Sequence, residues 1–341
     1  MKFFSNLTLL LPVYNGGEDF YGILRSLEDL NAQTNVIIYN DGSVDNSYEV
    51  GCEYAEKSKH KVRVIDGKKN RGYFRTIKIL LRICPTNFFM FLGHDDQLSN
   101  NYLDEFDVIT AELKDVACIF TNIATITPEG MVANTWPNSL RKNSALTKMP
   151  GCEVVKTFHK HEWGNLFVAI WSKRVLSHKT LLQIMRCIPN SSLTLPLKRS
   201  GFLNDNMAIL RALSSNTSSL IFHNKVGVYF KKVDPGRLSE GVAQFKKDKV
   251  LHCPFGYISI VAHFMLPQIK QKGVATLWML RYLYIYLGIA AKALFRNPGS
   301  LDINTFFYGI RLILTGYANN ILAAGGARGG YSPRKVRKQV R

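Results

Sequence analysis

The sequence predicts an α/β fold built on a doubly wound, mostly parallel sheet. Short apolar runs alternate with helical patterns over the first half of the chain, as a parallel sheet with helical crossovers requires. With 341 residues and a hydrophobic fraction of 46%, the chain can bury a substantial core, which excludes a disordered protein. The predicted strands are Leu7–Val13, Val36–Tyr39, Val62–Ile65, Phe88–Leu92 and Ala117–Asn122.

Helical patterns lie between these strands. Apolar residues recur at helical spacing from Phe20 to Leu30, and Ser43 is placed to cap a helix that runs toward Ala55. Further helices are predicted over Tyr73–Arg82, ended by Pro85, over Asn101–Leu113 and around Asp205–Leu213. We therefore expect residues 1–232 to form the main domain and residues 233–275 to form a linker and core-packing segment.

Residues 276–341 have a different composition. Two apolar, aromatic segments, Leu277–Phe295 and Ile303–Ala324, precede a basic tail. Charged and amide side chains interrupt both segments, so neither has the apolar length of a transmembrane helix. A C-terminal appendage of amphipathic helices on an anionic membrane surface fits this pattern. Packing on the core or on a second subunit is the alternative, which leaves a homo-oligomer open.

The charge is strongly unbalanced. Lys and Arg number 44 against 25 Asp and Glu, a formal net charge of +19, so an anionic partner is expected. The basic stretch from Lys57 to Arg75 raises the alternative of a nucleic-acid-binding protein. Basic residues are nevertheless spread over the whole chain and no nucleic-acid-binding motif occurs, so we expect no nucleic acid. The six cysteines form no CxxC pair, and no signal-peptide cleavage site follows the first apolar run, which predicts a cytoplasmic protein.

Two polar motifs follow the first two predicted strands. Pro12-Val13-Tyr14-Asn15 ends the first strand, and Asn40-Asp41-Gly42-Ser43 ends the second. Ligands of open α/β sheets bind outside the carboxyl ends of the strands, where these loops would be neighbours. The carboxylate of Asp41 can accept a hydrogen bond from the imide N–H of uracil or an equivalent base edge. A tight turn with a helix cap explains the second motif equally well when it is taken alone.

A third motif, Gly93-His94-Asp95-Asp96, directly follows the apolar run Phe88–Leu92. Two adjacent carboxylates repel one another unless a cation lies beside them. Mg²⁺ or Mn²⁺, which prefer oxygen ligands, would bridge such a pair to a diphosphate and neutralise the charge of a leaving group. A solvated acidic turn is the alternative, and the position directly after a buried strand favours the metal site.

The order of the motifs LLPVYN, NDGSVDNS, NRG, FLGHDD and FLNDNMAILRAL resembles the family 2 glycosyltransferases over roughly the first 230 residues. Members of that family are inverting enzymes with a GT-A-type fold. The resemblance implies a metal site at Asp95 and Asp96, although Gly93 stands where the family often has its first acid. It also implies a nucleotide-sugar site, with the nucleoside pocket lined by Pro12, Tyr14, Asn15 and Asp41, and with Asn70, Arg71, Gly72 and Asp95 near the nucleotide sugar.

The resemblance extends to the acceptor side. Asn204-Asp205 stands where the family carries an acidic pair, so Asp205 is the candidate general base, and Asn204 is a candidate acceptor ligand. Glu162 and Trp163 lie in a segment similar to the acceptor loop of the family.

The implied reaction is transfer of a sugar from a nucleoside diphosphate sugar, with a UDP-sugar favoured. The acceptor would be a hydroxyl of a polyprenyl-diphosphate-linked saccharide, in assembly of a bacterial surface polysaccharide such as the O-antigen of lipopolysaccharide or a capsule. The expected location is the inner face of the cell membrane. A catalytically inactive scaffold with the same fold is the main alternative, because acids are missing at Gly93 and Asn204.

Overall fold

The structure is a computed structural model that describes residues 2–104, 106–112, 115–126, 132–136, 146–151, 168–180, 219–231, 262–263, 266–268, 272–296 and 303–325. The chain divides into two compact units. The first comprises residues 1–181 and 215–235, and the second comprises residues 182–214 and 236–341.

Four parallel strands form one half of the sheet in the first unit. They are β1 (Lys2–Val13), β2 (Ala32–Asn40), β3 (Lys61–Asp66) and β4 (Phe88–Phe91), in the spatial order β3-β2-β1-β4. The central strand β1 is apolar and buried from Leu7 to Val13, because helices cover both faces of a doubly wound sheet. The predicted α/β class and the strands of this half are confirmed.

The connecting helices are α1 (Gly17–Glu28), α2 (Ser47–Lys57), α3 (Tyr73–Ile83) and α4 (Phe106–Glu112). Helix α3 begins at its predicted residue and ends just before Pro85, which lacks the N–H that a continuing helix needs. The predicted cap of α2 is wrong, because this helix starts after Asn46 and has no side-chain cap. The Ser43 hydroxyl instead accepts the backbone N–H of Asn15 at 3.0 Å.

The other half of the sheet is mixed. It contains β5 (Asp96–Leu98), β6 (Val116–Ile126), β7 (Val132–Trp136), β8 (Leu146–Pro150), β9 (Ile170–Ser172) and β10 (Ser219–Lys231). Beyond β4 the order is β9-β6-β10-β5, with β7 paired to β6 and β8 paired to β10. Strand β10 runs parallel to β6, whereas β9 is antiparallel to both of its neighbours. Trp171, Phe89, Phe120 and Phe222 are fully buried and fill the core here.

The second unit contains two long helices, α5 (Lys272–Arg296) and α6 (Ile303–Gly325), as the sequence predicts. Their facing sides bury Tyr286, whose hydroxyl donates to the Phe306 carbonyl at 2.9 Å. The amide of Asn320 donates to the carbonyl of Leu266 at 2.7 Å, which ties α6 to a 3-10 turn at Leu266–Gln268. Within the described residues, neither these helices nor any other has the length and hydropathy needed to cross a membrane.

The outer faces of α5 and α6 are apolar at a seven-residue spacing. Tyr284 is 79% exposed and Phe307 is 61% exposed. Arg281 and Arg311 are exposed on the same helices, so cations are interleaved with the apolar side chains. This combination suits a partner that is both apolar and anionic. The exposed apolar residues are Leu277, Leu280, Tyr284, Leu287 and Phe295 on α5, and Phe307, Leu314 and Ile321 on α6.

A buried histidine ties the amino-terminal end of β2 to the end of α1. His60 Nδ1 accepts the backbone N–H of Thr34 at 3.2 Å, so the proton of the neutral ring lies on Nε2, which donates to the Leu27 carbonyl at 2.7 Å. Burial lowers the pKa of His60, because a charged ring would lose its solvation and its bond from Thr34.

We predict that the fold loses stability as the pH falls below about 6.5, the ordinary histidine value. Above that pH the imidazole of His60 is neutral in both the folded and the unfolded state. Below it the unfolded chain binds a proton at His60, whereas the folded chain does not. The loss continues until the lowered folded pKa is reached, at a slope of at most about 1.4 kcal/mol per pH unit for one histidine. Urea unfolding of wild type and His60→Gln from pH 8 to pH 5 measures this slope.

His60→Gln should have the shallower pH dependence, and its stability at pH 8 reports the packing loss alone. Equal slopes in the two proteins would show that His60 is not responsible. A residual slope is expected in the variant, because burial also lowers the pKa of His263.

Candidate active site

Four loops meet at the carboxyl edge of the parallel strands. They are residues 14–17 after β1, 40–47 after β2, 66–72 after β3 and 93–96 after β4. The Asp41 N–H donates to the Val13 carbonyl at 2.8 Å, and the Leu92 N–H donates to the Leu10 carbonyl at 3.1 Å. The structure therefore places the predicted motifs side by side at the edge where sheets of this class bind ligands.

Asp41 joins the loops after β2 and β3. The residue is 4% exposed, and its two carboxylate oxygens accept different backbone N–H groups, from Arg71 at 3.0 Å and from Gly72 at 2.9 Å. The side chain of Asn70 also accepts the Gly72 N–H, at 2.8 Å. Asp41 thus fixes the backbone of the Asn70-Arg71-Gly72 loop. The predicted contact of Asp41 with a nucleotide base stays a prediction. Each carboxylate oxygen retains one lone pair that could accept a hydrogen bond from such a base.

Two glycines allow these loops to pack backbone against backbone. Gly42 has φ +71°, and a Cβ there would lie 2.4 Å from the carbonyl carbon of Lys69. A Cβ on Gly67 would lie 2.6 Å from the carbonyl oxygen of Asn40. Because neither neighbour is a movable side chain, any larger residue would separate the loops that Asp41 joins.

Asn15 and Asp45 hold the loop after β1 against the loop after β2. Asn15 has φ 49°, and its Oδ1 accepts the N–H of Val44 at 3.0 Å. Asp45 accepts the N–H of Gly17 at 3.1 Å, and its other oxygen accepts both the hydroxyl and the N–H of Ser47. Although burial acts to raise the pKa of Asp45, hydrogen bonds from Ser47 and Gly17 hold it below its ordinary value.

The sequence analysis overlooked Asp45 as a positioning residue. The available signal was an acid two residues before a helix start, at the end of the motif Asn40-Asp41-Gly42-Ser43-Val44-Asp45.

The remaining predicted nucleotide-sugar residues differ in exposure. Tyr14 is 42% exposed, and Asn70 and Arg71 are also exposed, so these side chains can reach a ligand at this edge. Pro12 is buried within β1 and is two residues from the Tyr14 ring. The predicted acceptor and base residues Glu162, Trp163, Asn204 and Asp205 lie outside the described residues.

Asp95 and Asp96 fold back over Gly93. The Gly93 N–H donates to Asp96 Oδ2 at 3.3 Å, and a Cβ on Gly93 would lie 2.7 Å from an oxygen of each carboxylate. The absence of a side chain at position 93 therefore makes room for the two acids that follow it. Burial, and then the charge of Asp95, raise the pKa of Asp96 to about 8.

This carboxylate pair fits a divalent cation. It concentrates negative charge that burial disfavours, and a cation would compensate that charge. No cluster of three or more His, Cys, Asp or Glu side chains suited to a metal occurs in the part of the chain that the structure describes. Two carboxylates are sufficient for Mg²⁺, which usually keeps several waters and takes further oxygens from substrate phosphates.

We predict that Asp41→Asn destabilises the first unit by about 1–3 kcal/mol, because its amide nitrogen would face the backbone N–H of Arg71 or Gly72 as a second donor, where the carboxylate oxygen accepts that N–H. Asp66→Asn is the matched control. Asp66 accepts Asn40 Nδ2 at 3.1 Å and the Lys68 N–H at 3.0 Å on the same oxygen, which an asparagine retains. Urea unfolding of both variants measures the difference, and equal losses would contradict the anchoring role.

The comparisons with known proteins agree with this geometry. Residues 8–149 match the family described as Glycosyl transferase family 2, a segment that begins in β1, ends in β8 and includes all four loops. The chain is 29% identical over 157 residues to the teichoic acid poly(glycerol phosphate) polymerase of Staphylococcus epidermidis, covering 44% of this chain and 22% of that protein. It is 33% identical over 98 residues to the uncharacterized glycosyltransferase YibD of Escherichia coli K12, covering 28% and 27%. The matched segments thus span about a quarter of these relatives.

Solved structures share the fold. The crystal structure of S. aureus TarS 1–349 superposes with a TM-score of 0.53 at 15% identity, covering 100% of this chain and 92% of that one. The complex of TarS 1–349 with UDP-GlcNAc gives a TM-score of 0.56 at 16% identity, covering 95% and 89%. The GT-A-type fold that the sequence predicts is therefore confirmed. Residues 8–149 are thus similar in sequence to family 2 glycosyltransferases, and these solved structures share the fold of the chain.

Proposed function

We propose that the protein is an inverting glycosyltransferase that transfers a sugar from a nucleoside diphosphate sugar to an acceptor hydroxyl. The observation that carries this proposal is the pairing of two features at one sheet edge. The Asp41-anchored loop offers polar groups to a nucleotide, and the Asp95 and Asp96 carboxylates offer a cation site for its diphosphate. A UDP-sugar is the favoured donor, since TarS, which shares the fold, has been crystallised with UDP-GlcNAc.

The nucleoside pocket is assigned to Pro12, Tyr14, Asn15 and Asp41. Tyr14 supplies an exposed ring that can lie against a base, while Asn15 and Asp41 fix the two loops that frame it. Arg71, exposed on the loop that Asp41 holds, supplies a fixed positive charge for the diphosphate. Asn70 and Gly72 shape the turn that presents Arg71, because the Asn70 side chain accepts the Gly72 N–H.

Asp95 and Asp96 are the residues that would hold Mn²⁺ or Mg²⁺. Such an ion, when bound, neutralises the charge that develops on the departing diphosphate. The contribution of the chain is the geometry, because Gly93 lets both carboxylates approach the same volume.

The transfer step assigned to the site is a direct displacement. The oxygen of the acceptor hydroxyl forms a bond to the anomeric carbon, and the bond from that carbon to the diphosphate breaks with its electron pair leaving on the nucleoside diphosphate. Asp205 accepts the hydroxyl proton as general base. Asn204, Glu162 and Trp163 are assigned to the acceptor. These four assignments rest on the sequence motifs.

The proposed setting is the assembly of a bacterial surface polymer on a polyprenyl-diphosphate carrier, such as an O-antigen or a capsule. A teichoic acid polymerase among the relatives supports a surface polymer. The exposed apolar faces of α5 and α6, with Arg281 and Arg311 beside them, support peripheral attachment to the anionic inner face of the membrane.

The donor is tested by measuring binding and hydrolysis of UDP-, GDP- and dTDP-sugars with Mn²⁺ or Mg²⁺. We expect Asp95→Ala to abolish metal-dependent binding, and Asp205→Ala to keep binding but lose turnover by on the order of 10²–10⁴-fold, the contribution of a general base. Asp104→Ala, which changes an exposed turn carboxylate, is the control. Absence of metal-dependent binding of every nucleotide sugar would favour the inactive scaffold instead.

The role of Gly93 gives a separate prediction. Gly93→Ala should weaken metal-dependent donor binding on the order of tenfold or more, because the new Cβ would meet both carboxylates at 2.7 Å. Gly22→Ala is the matched control, since its Cβ would come no closer than 3.4 Å to Gln97 Nε2. Titration of Mn²⁺ at fixed donor concentration separates a weaker metal site from a weaker nucleotide site. Unchanged Mn²⁺ affinity in Gly93→Ala would refute the fold-back geometry as the basis of the site.

A further inference from the structure

The segment between Asp66 and Asp95 contains only positive formal charge. No aspartate or glutamate occurs between Asp66 and Asp95. The same interval contains six Lys and Arg residues, which are Lys68, Lys69, Arg71, Arg75, Lys78 and Arg82. An excess of this size along one stretch of surface creates a positive potential that can concentrate an anionic ligand.

Four of these cations follow one another from the loop before α3 to its last turn, and we call this set the α3 stripe: Arg71, Arg75, Lys78 and Arg82. Arg75, Lys78 and Arg82 recur at a spacing of three and four residues and therefore lie on one side of α3, about one cation for each 5.4 Å turn of the helix. Arg71 lies in the loop two residues before the helix begins. The three arginines are exposed and Lys78 is half-buried. The stripe begins at the loop that Asp41 holds and runs along α3 away from the candidate active site.

The cations of the α3 stripe have no ion-pair partner within the described part of the chain. None of its cations forms an ion pair there, whereas Lys2 pairs with Asp107 at 2.7 Å and Arg174 pairs with Asp115 at 3.7 Å. The opposite side of α3 buries Ile77, Leu80 and Leu81 completely as the helix packs on β1 and β2. The helix is therefore held by its apolar side, and its cations are available to a ligand.

The positive surface continues past the end of α3. His178, in the segment after β9, has its pKa lowered first by burial and then by the charges of Lys78 and Arg82. Lys173 lies in the same segment and donates to the Cys84 carbonyl at the C-terminal end of α3. Lys179, which follows His178 in the sequence, is exposed. The segment after β9 therefore extends the cationic surface rather than neutralising it.

We propose that the α3 stripe binds a linear polyanion and that this polyanion is the acceptor chain of the transferase. The inference rests on the proposed function, and it names the acceptor class as a polymer with repeated phosphate or carboxylate groups. A regular row of cations matches repeated charges along a chain, and the start of the row at Arg71 would direct the chain toward the donor.

An acceptor polymer is favoured over a bilayer as the ligand of the α3 stripe. Helices that lie on a bilayer insert an apolar face between the headgroups. The apolar face of α3 is buried against the sheet, and Tyr73 at its first turn is the one large apolar side chain that α3 exposes among the described residues. The α3 stripe thus offers charge with little surface to insert.

The test compares two triple variants of the full chain with equal charge loss. Arg75→Gln/Lys78→Gln/Arg82→Gln, the stripe variant, removes the three stripe cations that lie on α3 and leaves Arg71 in place. Lys57→Gln/Lys61→Gln/Arg63→Gln removes three exposed cations from α2 and β3 as the control. The probes are long-chain inorganic polyphosphate, a single-stranded oligonucleotide and vesicles containing anionic lipid. Binding of UDP-GlcNAc with Mn²⁺ is measured separately in each protein.

The stripe variant should bind polyphosphate on the order of tenfold more weakly than the control, and the slope of log affinity against log salt should fall by about two, from three lost phosphate contacts. Three results would each overturn the proposal. The two variants could bind polyphosphate with equal affinity, or the stripe variant alone could lose vesicle binding. The third is that wild type binds the oligonucleotide more tightly than polyphosphate. UDP-GlcNAc binding should be unchanged in both variants. If wild type also failed to bind UDP-GlcNAc, the proposed donor would be refuted. That result is independent of the polyphosphate comparison.

Discussion

The candidate active site depends on the Asp41 carboxylate, which holds two backbone N–H groups of the loop after β3. A loop at the end of a strand has no ladder of its own, so its conformation needs an acceptor from elsewhere. Asp41 supplies that acceptor from the neighbouring strand at 4% exposure, where the bonds are shielded from water. The position of Arg71, and with it the start of the α3 stripe, follows from this one side chain.

The glycines near Asp41 and the glycine before Asp95 serve the same geometric purpose. Gly42 and Gly67 let the loops after β2 and β3 approach within backbone contact, and Gly93 leaves a volume that two carboxylates enter. In each case a Cβ would occupy space that a polar group of the site uses. The missing acid at position 93 is therefore compatible with a working cation site, since an acidic side chain there would collide with the two carboxylates in this geometry.

Local patterns predicted the parallel half of the fold because each element there is determined by nearby residues. The strands β1 to β4 and helix α3 follow from apolar runs and from Pro85, and their loops follow from the topology of a parallel sheet. The cap at Ser43 was wrong because a hydroxyl beside a helix start can bond to another loop, and Asn15 is 28 residues away in sequence. The role of Asp45 was overlooked for the same reason, since Gly17 is equally distant in sequence. Asp205 and Trp163, which lie outside the described residues, stay predictions, as does the division of the chain at residues 232 and 275.

The cations of the described residues lie on surfaces with different chemistry. On α5 and α6, arginines are interleaved with exposed apolar side chains, a combination that gains free energy from both insertion and charge at an anionic bilayer. On α3 the apolar side is already buried, so its cations can act through charge alone. A single anionic ligand would not use both surfaces equally well. The two surfaces therefore support the two ligands that we propose, a membrane for α5 and α6 and an anionic polymer for α3, better than a single nucleic acid.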